Sequence, residues 1–433
     1  MDPSRVAVAY SGGRDSTALL HATLRAAEPL GIEVVALHVH HGLSPNADAW
    51  LEHCRARCAR WAKAGRALEF GFRHLPKTPE KGESIEAWAR KARYAALREM
   101  ARAHAVSLVL LAHHRRDQAE TFLLQALRGA GVAGLAGMPR LVERDGVTWA
   151  RPWLLQADAA IDAYVRRHRL AHIEDESNAD ERYARNRLRR LVWPSMIGAF
   201  PQAEASFATT AAWAHEAAVC LGDLAAIDLE RVAAAATLDL DAWSALSGPR
   251  RSNALRAWLR RETGTAPSAA LVTRLSSELA VLRSARWPLD AGELRSHRGT
   301  LTFARESKSG HAPAPPKETS LTLSRSGTYR LPGWGGLLRA TRVREAGVAL
   351  DEVRCVELLP RIGSEQFQIA AGRPARSLKK QYQAAGVPTW QRGGPLIYSA
   401  GRLIYVPGLG IDARAHAPSG KAQITLQWIP TPA

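Results

Sequence analysis

Short apolar runs alternate with longer amphipathic stretches over residues 1–200. Val6-Ala7-Val8-Ala9-Tyr10 is an unbroken apolar run that stops at Ser11-Gly12-Gly13. A helical pattern follows, with Ala18, Leu19, Leu20 and Leu24 on one side. A second apolar run spans Ile32 to Val39, a helix is predicted around Ala47 to Ala64, and Leu68 to Phe72 reads as a strand. A helix from about Ser84 to His104 precedes the strongly apolar strand Ser107 to Ala112. Strands with no polar alternation, separated by helices, predict a parallel sheet covered on both faces. The fold class is therefore α/β with a Rossmann-like parallel sheet, and its ligand belongs beyond the C-terminal strand ends.

The pattern changes afterwards. From Gln202 to Ala285 the chain is rich in Ala and Leu at helical spacing, which predicts a helical domain with little specific chemistry. Ser307 to Lys317, with its Ala-Pro repeats, reads as a linker. Beyond it, short strands with Gly/Pro turns predict a small α+β module. The expected domains are 1–200, 201–306 and 318–433.

Composition agrees with three globular units. The 433 residues are 46% hydrophobic and 23% charged, enough for sizeable cores. No run of apolar residues is long enough to span a bilayer, and the N-terminus has no signal-peptide pattern. With only 4 cysteines a disulfide framework is excluded, and the cytoplasm is the expected compartment. Lys+Arg 59 against Asp+Glu 41 leaves a net charge of +18, and the resulting field favours a polyanion such as nucleic acid as partner.

The candidate chemistry falls just after the strands. Ser11-Gly12-Gly13-Arg14-Asp15-Ser16 closes the first strand and opens a helix. Its glycines allow close approach of an anion, its hydroxyls add donors, and the helix N-terminus directs amides at that anion. Asp15 would repel a phosphate unless a divalent cation lay between them, so the loop implies a nucleotide with Mg²⁺. The Gly-Lys-Ser/Thr ending of a Walker A loop is absent. After the second strand come His38, His40 and His41, a histidine cluster without the carboxylate or cysteine partners of a typical metal site. After the fourth, His113 and Asp117 lie four apart and share one helix face.

The loop resembles the pyrophosphate loop of the N-type ATP pyrophosphatases, which have an adenine nucleotide α-hydrolase-like fold. Ala112-His113-His114-x-x-Asp117-Gln118-Ala119-Glu120-Thr121, Glu86 to Tyr94, His41-Gly42-Leu43, Arg151-Pro152-Trp153-Leu154, and Asp175-Glu176-Ser177-Asn178 with Arg185-Asn186-x-x-Arg189 narrow the resemblance to the tRNA(Ile)-lysidine synthetase family. Trp153, Glu176 and Ser44 depart from its usual pattern. The resemblance implies ATP-dependent adenylation of the wobble cytidine of a CAU-anticodon tRNA(Ile), then attack by free L-lysine. Ser11, Gly12, Gly13, Arg14, Asp15 and Ser16 would hold ATP, with the strand end at His38 and His40 beside adenine. Asp15 and Asp117 would hold Mg²⁺, while Arg93 and His113 would stabilise charge on the α-phosphate. Asp175, Asn178, Arg185, Asn186 and Arg189 would bind substrate. The resemblance allows a homodimer, for which no apolar stripe argues.

In the C-terminal module Arg373, Arg376, Lys379, Lys380 and Arg392 form a basic cluster with Trp390 nearby, suited to RNA. Two other readings stay open. A tRNA thiolase would use paired reactive cysteines, whereas Cys54 and Cys58 lie four apart in one predicted helix and read as packing residues. A non-catalytic tRNA-binding protein would have no need of Asp15, Arg93, His113 and Asp117 together.

Overall fold

The computed structural model describes residues 4–42, 44–75, 85–174, 180–282, 284–305, 319–418 and 420–430. It forms two compact units, Met1–Asp223 and Leu224–Ala433.

The first unit is built on a six-stranded sheet. Its elements are β1 (Arg5–Ala9), α1 (Arg14–Ala27), β2 (Glu33–His40), α2 (Ala47–Lys63), β3 (Leu68–His74), α3 (Ile85–Ala103), β4 (Leu108–Leu110), α4 (Arg115–Leu127), α5 (Val132–Leu135), β5 (Leu141–Arg144), β6 (Val147–Ala150) and α6 (Asp158–Arg167). Strand order is β3-β2-β1-β4-β6-β5. All pairings are parallel except the β5–β6 hairpin, an antiparallel edge absent from the sequence reading. The apolar runs are continuous because both faces are covered. Val6, Val8, Val34 and Ala36 pack against Leu19, Leu20 and Cys54 on one side. Ala7, Val35 and Leu37 pack against Leu97, Met100 and Trp149 on the other.

Chain order reverses between β1 and β4, which opens the ligand crevice of a doubly wound sheet at their C-terminal ends. The unit continues through α7 (Ala184–Arg187), a π-helical turn (Leu188–Val192) and α8 (Trp193–Ala199). Pro194 lies in the first turn of α8 and has no N–H to give the preceding turn. The Trp193 amide reaches five residues back to the Leu188 carbonyl. The long helix α9 (Ala203–Val232) follows.

In the second unit, helices α10 (Leu240–Ser244), α11 (Gly248–Thr263) and α12 (Ala269–Glu278) are the Ala/Leu-rich stretch read from sequence. They are accompanied by an antiparallel sheet that was not expected there, β7 (Ala233–Ala234), β8 (Thr237–Asp239), β9 (Ser284–Leu289), β10 (Gly292–His297) and β11 (Thr300–Arg305). Its strands are short and charged on their outer face, so neither periodicity dominates. Trp243, Trp258 and Trp287, all fully buried, join helices to sheet in one core. Residues 319–430 form a five-stranded and a four-stranded antiparallel sheet around a second core, with one α-helix, α13 (Leu378–Ala384), alongside. The expected linker, Ser307–Lys317, lies outside the described residues.

Candidate active site

The loop from β1 to α1 can be built only with glycine at its centre. Gly12 has φ +86°, and a Cβ there would lie 2.5 Å from Ile173 Cδ1 and 2.7 Å from Cys54 Sγ. The Ile173 amide donates to the Gly12 carbonyl at 2.9 Å, stitching this loop to the chain beyond α6. Ser16 Oγ donates to the Gly13 carbonyl at 3.1 Å and lies 3.0 Å from Ser11 Oγ. Thr17 Oγ1, not singled out in the sequence, donates to the Gly12 carbonyl at 3.1 Å. Gly13 is the N-cap of α1 and no side chain caps it, which suits the first-turn amides to an anion.

Beside this loop stands a cluster of charges centred on His114. Its Nε2 lies 3.6 Å from Asp15, 3.5 Å from Asp117 and 3.7 Å from Asp158. Burial disfavours the charge of both His114 and Asp15, but their mutual interaction outweighs it. With the nearby carboxylates it raises the His114 pKa, and with Arg14 it lowers that of Asp15. Arg14 Nε donates to Asp15 at 2.8 Å, and its Nη2 donates to Asp158 at the start of α6. Donor atoms of Asp15, His114 and Asp158 all lie within 4.8 Å of one another. Hard carboxylate oxygens from two elements, next to an anion-binding loop, fit Mg²⁺ in kind. Asp117, expected from sequence as the second ligand, accepts from the His114 amide at 3.1 Å and from Arg189 Nη2 at 3.0 Å. Asp158 has no motif to mark it, and His114 lies inside the His113-His114-x-x-Asp117 stretch without an assigned role.

The neighbouring His113 has different surroundings. Its Nδ1 is buried and has no hydrogen-bond partner, and burial pushes its pKa down to about 4, against the pull of Asp117. It is a neutral imidazole at pH 7. Arg93 Nε donates to His41 Nε2 at 3.2 Å. Burial, then the Arg93 cation, holds His41 near pKa 4, so it is neutral and can accept. His38 and His40 are committed to the protein. His38 Nδ1 donates to the Tyr10 carbonyl at 2.9 Å, and His40 Nε2 lies 3.1 Å from Asp48.

The expected substrate-binding arginines face inward. Arg189 Nε donates to the fully buried Glu120 at 2.7 Å, and Arg185 Nη2 donates to Thr121 Oγ1 at 2.9 Å with its Nε 3.6 Å from Glu120. Asn186 donates to the Asp180 carbonyl at 2.9 Å. Asp175 and Asn178 lie outside the described residues. In the second unit Arg373, Arg376, Lys379 and Lys380 are exposed. Arg392 instead binds the Val387 carbonyl at 2.7 and 2.9 Å and covers the Tyr382 ring. Trp390 is half-buried between Arg295 and His297. Cys54 and Cys58 are buried, and burial pushes both thiols up to about 12, which leaves them unreactive.

Fold and loop together define a PP-loop protein of the ATP pyrophosphatase class, and residues 1–196 match the PP-loop domain family. Residues 238–302 match the TilS substrate binding domain, and residues 356–428 match the TilS substrate C-terminal domain. A tRNA(Ile)-lysidine synthase of Ralstonia nicotianae is 42% identical over 98% of this chain and 92% of its own length. One of Burkholderia mallei is 38% identical over 99% of this chain and 94% of its own. The chain belongs to the tRNA(Ile)-lysidine synthase family. A U34-tRNA thiolase from Methanococcus maripaludis superposes on 49% of the chain and 72% of its own with TM-score 0.43 and 13% identity, too distant to bear on function.

Proposed function

We propose that this protein uses ATP to join the ε-amine of free L-lysine to the wobble cytidine of a CAU-anticodon tRNA(Ile), forming lysidine and releasing AMP and pyrophosphate. The product reads AUA in place of AUG and is charged with isoleucine in place of methionine. The observation that carries the reading is the convergence of the Ser11–Ser16 loop, Asp15, His114 and Asp117 at the β1/β4 crevice in a near full-length member of this family.

Cytosine O2 attacks the α-phosphorus and pyrophosphate leaves. The amine then attacks C2, and AMP departs with the oxygen. Mg²⁺, when bound, offsets polyphosphate charge, and Asp15 with Asp158 or Asp117 would hold it. The loop amides and the Ser11 and Ser16 hydroxyls orient the pyrophosphate portion. Neutral His113 donates a hydrogen bond and Arg93, steadied by neutral His41, supplies a cation where charge gathers on the α-phosphate. Lys379, Lys380, Arg373 and Arg376 form the exposed face for tRNA. We assign three working parts, 1–200 for catalysis and 201–306 and 318–433 for tRNA, in a cytoplasmic protein; a homodimer is compatible with this scheme.

The burial of Cys54 and Cys58 speaks against a thiolase. The test is incorporation of labelled lysine into a CAU-anticodon tRNA(Ile) transcript, with the wobble cytidine changed to uridine as control. ATP-dependent labelling of the first RNA alone is expected. Pyrophosphate release without labelling would overturn lysine as the nucleophile, and neither product would overturn catalysis.

A further inference from the structure

The phosphate loop carries its own cation, and that cation is already engaged. Arg14 is the first residue of α1, between the glycines and Asp15. Its guanidinium bridges two carboxylates, Asp15 from the same turn and Asp158, which lies 144 residues along the chain from Arg14. Both side chains of the Arg14–Asp158 pair are only partly exposed, 30% and 26%, so solvent screens the pair less than a surface one. Asp158 is itself held in place. It sits in the first turn of α6, where the helix dipole favours an anion, with His114 Nε2 at 3.7 Å and Arg116 Nη1 at 3.8 Å.

From this geometry we infer that Asp158 is a positioning residue that latches Arg14 away from the polyphosphate, so that nucleotide binding trades the carboxylates on Arg14 for phosphate oxygens. The inference rests on the ATP-using reading above. A triphosphate at the α1 N-terminus is more highly charged than the two carboxylates on Arg14 together and lies within reach of the first residue of that helix. As Arg14 turns to it, Asp15 loses its guanidinium partner and becomes available to a divalent cation. One exchange then couples nucleotide arrival to preparation of Asp15.

The test is calorimetric binding of ATP to the full-length protein, with EDTA and with Mg²⁺, for the parent, Asp158→Asn, Asp158→Ala, Arg14→Ala and the Arg14→Ala/Asp158→Asn pair. Release of the latch should tighten metal-free ATP binding about three- to tenfold in both Asp158 variants, a range set by a partly buried ion pair. Arg14→Ala should weaken it by a similar factor, and Asp158→Asn should have no effect once Arg14 is gone. Melting curves of each variant separate loss of fold from change of affinity. An unchanged or weakened metal-free affinity in the Asp158 variants overturns the latch, as does an effect that survives in the Arg14→Ala background. Loss of only the Mg²⁺-dependent gain would make Asp158 a metal ligand instead. If the parent binds no ATP under either condition, the ATP-using reading itself fails.

Discussion

At Gly12 two constraints coincide: a left-handed backbone and a space already filled by Ile173 and Cys54. Gly12→Ala meets both and should cost about 1–3 kcal/mol of stability in urea unfolding, with loss of ATP-dependent pyrophosphate release. The Ser-Gly-Gly pattern made this residue legible once Asp15 was read with it, because a carboxylate beside a glycine turn that accepts an anion implies a nucleotide with its cation. Asp158 was not legible. It is an ordinary acidic residue at a helix start, and only the tertiary fold brings it to Asp15. His113 and His114 show the opposite difficulty. Adjacent residues on an extended strand end point apart, and the sequence gives no sign which one meets the carboxylates. The structure puts His114 among them and leaves His113 as a half-buried, neutral ring.

At the scale of elements, the grip of α4 on α7 and the π turn after it is the main finding. Glu120, with no exposed surface, has Arg189 at 2.7 Å, Arg116 at 3.4 Å and Arg185 at 3.6 Å. Removing this anion takes a shared partner from three partly buried guanidiniums, of which Arg189 keeps Asp117 and Arg116 keeps Asp158. Glu120→Ala should therefore destabilise the first unit by about 2–4 kcal/mol, read from denaturant midpoints, and Glu120→Gln should recover part of it. From sequence, Arg185 and Arg189 could be read as phosphate grips because an isolated basic helix faces solvent. They turn inward because Glu120 lies on the facing helix, information that no local pattern contains. The parallel strands were readable for the reverse reason. Burial on both faces writes itself into consecutive apolar residues, whereas the charged, short strands β9 to β11 follow neither period.

For the whole molecule, the charge of +18 is not spread evenly in what it can do. Many arginines are spent on internal pairs, such as those on Glu120 and Asp158, and so contribute little to capture of a polyanion. Lys379 and Lys380 are exposed at the first turn of α13, and no side-chain hydrogen bond caps that helix. Replacing both with alanine should weaken tRNA binding and reduce the slope of log affinity against log salt by about one to two. ATP binding to the catalytic unit should be unchanged in the same variant. Arg392 and Trp390, which sequence grouped with these lysines, serve packing instead, against Tyr382 and against β10. Basic composition thus identified the class of partner but not which cations meet it.

The π turn at Leu188–Val192 has a consequence for which changes of length the chain can tolerate. Leu188 and Trp193 both enter the core beside α4, although five positions on a plain α-helix would set them about 140° apart. The wider turn absorbs that mismatch, so the arginine side upstream and the tryptophan side downstream can both face α4. Deleting the exposed Leu191 would leave four positions between them, about 40° on a regular α-helix, so both sides would still face α4. The π turn is therefore where this segment carries one residue more than a regular helix needs, so its count can change there as it can at the open hairpin at Asp145-Gly146. Relatives that gain or lose residues should do so at such hairpins or at 188–192, where a one-residue shortening would keep the same grip on α4.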